Sequence, residues 1–153
     1  MRKELIEFLT KHPAHVSVKQ SLQNLKPENR HIKVKHFDHT IWEIFEHMRI
    51  AQEDILQYTL NPGWKSPSWP DNYWPSPHAK FSEEIWQKTY SGFYADLQKT
   101  VDLVNDVNLD LNAEIPHGEG RTYLREVLLI IDHNAYHTGQ VIQIRKKLSD
   151  WNT

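Results

Sequence analysis

The chain has 153 residues and a mass of 18.2 kDa, with 39% hydrophobic and 25% charged residues, which places it among globular chains long enough for a real core. A net charge of −2 and a sequence pI near 6.5 give no general field for holding DNA, RNA or an anionic membrane. There is no cysteine, which excludes disulfides, thiolate nucleophiles and cysteine-ligated zinc.

No apolar stretch follows the opening Met1-Arg2-Lys3-Glu4-Leu5, so no signal peptide is expected. The longest aliphatic run, Val127 to Ile131, is far below a membrane span. A cytoplasmic location and one domain over residues 1–153 are the expectation. Prolines at 13, 27, 62, 67, 70, 75, 77 and 116 partition the chain. Helix interiors reject proline at about 3 kcal/mol, so the intervals between prolines are the candidate helices. Four are predicted. A short one covers Ala14 to Lys26, preceded by a separate turn of helix at Lys3 to Thr10. The others run from Thr40 to Leu60, Ser82 to Asn105 and Thr122 to Leu148. Period-two alternation is nowhere sustained, so the expected fold is an all-α four-helix bundle.

The second helix opens with Thr40-Ile41-Trp42-Glu43, a capping box in which Thr40 and Glu43 satisfy each other's free amides. Ile41, Phe45, Met48, Gln52, Ile55 and Thr59 then recur at core spacing. His47 lies beside that stripe, with Ile44, Ala51 and Tyr58. Residues 61–77 follow, with five prolines, three tryptophans and a tyrosine, too apolar for a free linker. They read either as a plug over one end of the bundle or as a wall or lid shaping a substrate pocket.

The third helix packs through Ile85, Trp86, Phe93, Leu97, Val101 and Val104 and carries no histidine. Its Gly92 either allows a close helix approach or costs about 1 kcal/mol relative to alanine. Residues 113–121, with two glycines and no Walker pattern, form a turn, and His117 there is expected at the surface.

The fourth helix holds His133 and His137, four residues apart and therefore stacked on one face, with Cβ atoms about 5–6 Å apart. Two imidazoles so placed can bind one metal ion. Glu126, Ile130, His133, His137 and Ile144 share a stripe, while Arg125, Asp132, Gln143 and Lys146 lie on a polar one. The histidines thus edge the apolar face. Two interior histidines satisfied by hydrogen bonds would show the same pattern, so a third ligand decides the matter, and His47 is the best-placed candidate. The run Arg145-Lys146-Lys147 reads as a solvated helix end favoured by the macrodipole.

With Thr40-Ile41-Trp42-Glu43-Ile44-Phe45-Glu46-His47, the stretch Arg125 to Gln140 and Arg145-Lys146-Lys147-Leu148 in view, the chain resembles the DinB/YfiT-like superfamily from Ala14 to Trp151. That resemblance implies a small helical bundle with a three-histidine metal site, the ligands falling on His47, His133 and His137. It also implies a divalent transition metal (zinc, nickel or iron) and a small-molecule substrate. In some relatives that substrate is a low-molecular-weight thiol in an S-transferase or isomerase reaction; others are described as hydrolases or damage-induced proteins. A homodimer is frequent in the family. Two classes stay open: an enzyme activating a thiol or water at an open three-nitrogen site, and a non-catalytic stress or partner-binding bundle. Glu46 and Glu126 are candidates either for bonds to the ligands or for ordinary surface carboxylates. No Glu-x-x-His pair lies on a predicted helix, against a di-iron site.

Overall fold

The computed structural model describes residues 1–151; the last two residues of the expected 1–153 domain lie outside the described residues. Among the described residues there are five α-helices: α1 (Arg2–Thr10), α2 (Val18–Leu22), α3 (Ile41–Leu60), α4 (Glu83–Asn105) and α5 (Tyr123–Lys147). Among the described residues the only strand-like pairing is an isolated bridge between Glu114 and Thr122. Each long helix starts on a hydroxyl that accepts a bond from the amide three residues on: Thr40 from Glu43, Ser82 from Ile85, Thr122 from Arg125. The capping box at Thr40 is complete, since Glu43 also accepts from the Thr40 amide.

The count of four helices is corrected to five, because the turn expected at Lys3 to Thr10 counts as a helix of its own; the expected helix from Ala14 to Lys26 is also shorter than its proline spacing allows. Its helical part is Val18–Leu22 alone. Ser17 and Gln20 form a second capping box that sets the start, and Gln23 is already extended at φ −63° and ψ 134°. Asn24 then takes a left-handed φ of 56°, which keeps the chain out of helix after that break, and Pro27 opens a separate 3-10 turn through His31. The turn expected at Lys3 to Thr10 is instead a full helix, α1, with Leu5 and Leu9 buried. α1 packs on α4 and α5, and α2 packs on α5. Arg2 ties α1 down by donating to the carbonyls of Val104 and Leu109, at and just beyond the C-terminal end of α4.

α3 sits between α4 and α5. Ile41, Phe45, Met48, Gln52 and Thr59 are buried along it as their spacing predicts. Gln52, 1% exposed, joins all three long helices: its amide donates to the Phe93 carbonyl at 2.7 Å and accepts from Asn134 at 3.0 Å. Gly92 permits a close approach of α4 to α3, because a Cβ there would lie 3.0 Å from Cδ of Arg49. No helix among the described residues is long and apolar enough to cross a membrane.

Arg145 departs from the solvated helix end that its sequence neighbours suggest. It is 3% exposed, while Lys146 and Lys147 are exposed. Its guanidinium donates to the carbonyls of Ser21, Gln23 and Asp150. The Asp150 carboxylate, itself buried, accepts from the Lys26 amide and from Asn29. This network locks the end of α5 onto α2 and the turn after it. Arg145→Ala leaves those carbonyls and the Asp150 charge poorly compensated, so the expected loss in urea unfolding is about 3–5 kcal/mol. Arg145→Lys should recover little of it, because an ammonium cannot span the same carbonyls.

Candidate metal centre

His47 stands near the middle of α3, and His133 and His137 stand one turn apart on α5, facing it. The structure brings the three together: one ring nitrogen from each lies within 4.8 Å of the others. Ring centroids are 4.9 Å (His47–His133), 4.7 Å (His47–His137) and 4.5 Å (His133–His137) apart. The Nε2 atoms of His47 and His133 are 3.1 Å apart. Two ligands of one tetrahedral zinc ion, each at about 2.0–2.1 Å, would be about 3.3 Å apart, close to the separation of this pair.

Hydrogen bonds fix which nitrogen faces inward. His47 Nδ1–H donates to the Tyr73 carbonyl at 2.7 Å, which leaves the lone pair on Nε2. His137 Nδ1–H donates to Gln140 Oε1 at 2.7 Å, with the same result. His133 Nε2 lies 3.1 Å from that His47 lone pair, so across this contact it is His133 Nε2–H that donates. Burial disfavours the charged form of all three rings. It pushes the His133 pKa down to about 3, helped by the charges His137 and His47 would carry. His137 is pushed down to about 4 by burial, against the bond to Gln140. His47 is also lowered by burial, against its bond to Tyr73. Near neutral pH the cluster is therefore three neutral nitrogen donors, the form in which imidazole binds metal. Three imidazoles converge, and a neutral ring can move its one proton to the other nitrogen, so once His133 carries its proton on Nδ1 this donor set fits a divalent transition metal.

Residues 61–77 complete the site. None of them is buried, and Trp69 is 73% exposed, so the stretch is no apolar plug. It runs back along α3. The Trp74 ring stacks on His47 at 4.0 Å and 6°, and His39 stacks on Trp74 at 3.7 Å and 11°. Asp54, 8% exposed, accepts from the Trp64 indole at 2.7 Å and from the Tyr73 hydroxyl at 2.5 Å. Burial, then that bond, raises the Tyr73 pKa to about 12. The wall reading of the loop is the one its contacts support.

The carboxylates considered from sequence are engaged elsewhere. Glu46 accepts from Arg49 and from the Thr89 hydroxyl of α4. Glu126 is buried and paired with Arg125. His117 is half-buried and donates to the Tyr58 carbonyl at 2.7 Å, in the last turn of α3. Sequence reasoning missed His39, Trp74 and Asp54. Asp54 is seven residues after His47 and so shares its helix face, but no local signal says that a loop returns to that face. Gln140, three residues after His137, was legible as a partner from spacing alone.

A family model described as the DinB superfamily matches residues 16–141. No curated protein and no solved structure matches the chain significantly. The family match covers most of the sequence, and the chain belongs to the DinB superfamily.

The depressed histidine pKa values give metal-free protein a pH dependence of definite sign. Unfolded histidines take up protons near pH 6.5, whereas His133 and His137 resist until about 3 and 4. Their contribution is intact above pH 6.5 and is lost as pH falls through the window down to the folded values. Urea unfolding of metal-free protein should show lower stability at pH 5 than at pH 7. His133→Gln, which does not titrate, should flatten that slope.

Proposed function

We propose that this member of the DinB superfamily binds one divalent transition metal ion through His47, His133 and His137. Its inferred activity is activation of a low-molecular-weight thiol supplied from outside, in a reaction of the S-transferase type. The observation that carries the reading is the convergence of three neutral ring nitrogens within 4.8 Å on two facing helices. Three nitrogen donors leave coordination positions for a substrate, the arrangement of catalytic and not of closed structural sites. Imidazole favours zinc, nickel, iron or copper over magnesium or calcium, and zinc, nickel and iron are the candidates retained here.

When bound, such an ion stabilises a thiolate near neutral pH and so supplies the nucleophile that a chain without cysteine lacks. The chain's own residues do the rest. Tyr73 and Gln140 hold the His47 and His137 rings in the tautomer that presents Nε2. Trp74 covers one face of the His47 ring and keeps water from that side. Tyr136, 65% exposed and edge-on to His137 at 4.9 Å, marks the solvent side from which substrate approaches. The partner is a small molecule, in keeping with a surface of low net charge.

Purified protein should carry one divalent ion per chain by elemental analysis. His47→Ala, His133→Ala and His137→Ala should each weaken binding by more than the about 10–100-fold that loss of an outer hydrogen-bond partner costs, while staying helical. His31→Ala, whose ring stacks on Phe81, should keep its metal. Metal-loaded protein should conjugate a thiol from a broad panel to an electrophile faster than free metal in buffer. A panel with no rate above that blank supports the non-catalytic bundle instead, and normal binding by all three alanine variants removes the metal reading.

A further inference from the structure

Asp54 connects two features that lie far apart along the chain. It is seven residues after His47, so the two side chains leave the same face of α3 about two turns, roughly 10 Å, apart. Tyr73 spans that interval. Its hydroxyl donates to Asp54 Oδ2 at 2.5 Å, and its backbone carbonyl accepts from His47 Nδ1 at 2.7 Å. Asp54 Oδ1 accepts from the Trp64 indole at 2.7 Å, so one carboxylate holds both the outgoing and the returning limb of the loop. Between them lie mostly exposed residues that lead into a 3-10 turn over Asp71–Tyr73. The next residue, Trp74, lies flat on His47.

The energetics favour a tight clamp. Asp54 is buried, and among the described residues no lysine or arginine pairs with it. Its charge is compensated by the two loop donors. Charge-assisted bonds of this kind are roughly twice as strong as neutral ones, and their loss leaves a buried carboxylate uncompensated.

We infer that Asp54 is a positioning residue for the metal centre: by holding Trp64 and Tyr73 it sets the carbonyl that fixes the His47 ring, and so tunes the third ligand from two turns away. This rests on metal binding at the three histidines. Coupling of this kind is reciprocal, so metal bound at His47 must also hold the loop more firmly against Asp54.

Zinc titration against a competing chelator tests the first half. Asp54→Ala should bind zinc about 10–100-fold more weakly than the parent with an unchanged far-ultraviolet spectrum. Asp54→Asn, which keeps an acceptor for the indole, should recover most of that loss, a rescue that general destabilisation does not predict. Where Asp54→Ala does not fold, the double variant Trp64→Phe, Tyr73→Phe carries the test, with at least a tenfold loss expected. Hydrogen exchange of the Trp64 indole N–H tests the second half: zinc should slow it in the parent and leave it unchanged in His133→Ala. Parent-like affinity in the Asp54→Ala or double variant, or indole exchange indifferent to zinc in the parent, overturns the inference while metal binding stands. A parent that binds no zinc, nickel or iron overturns both.

Discussion

The buried amide of Gln52 is the contact on which the rest depends. Three long helices could slide along one another by a turn and still bury apolar surface. Gln52 removes that freedom, since its two polar atoms have partners only when Phe93 of α4 and Asn134 of α5 are level with it. A slipped register would leave buried polar groups unpaired, each at about 1–3 kcal/mol. Asn134 adjoins His133, and Gln52 is little more than a turn beyond His47. The bond that fixes the helices therefore also sets the height at which the three imidazoles meet.

What the helices place, the loop finishes. Burial makes the rings neutral and keeps them so well below their ordinary range. Neutrality alone does not aim a lone pair. For His137 the aiming comes from its own helix, through Gln140; for His47 it comes from a segment 26 residues downstream. Tyr73 and Trp74 of the 61–77 stretch thus belong to the site by contact with it, even though neither is buried.

The long helices were legible because their signals are local: a hydroxyl cap at Thr40, Ser82 and Thr122, apolar recurrence, and proline only outside. The histidine pair on α5 followed from spacing, and His47 from its place at an apolar edge. The short helices were not. The extended backbone of Gln23, followed by the left-handed Asn24, and a second capping box at Ser17 decide where α2 stops and starts, while proline spacing allows a longer helix. Arg145 was misread because its environment comes from residues 21 to 29 and 150, which charge patterning along α5 cannot foresee. The same holds for Asp54, His39 and Trp74, whose roles exist only once the loop has returned to α3.

The stack of His39, Trp74 and His47 has a consequence for observation. An indole lying flat between two imidazoles, at 3.7 and 4.0 Å, is within the range at which its excited state exchanges charge with its neighbours. Whatever alters the electron density of the His47 ring alters how Trp74 emits light. The chain thus carries, stacked on one ring of its histidine cluster, a chromophore that reports the electronic state of that ring, and changes there are open to optical detection without a label.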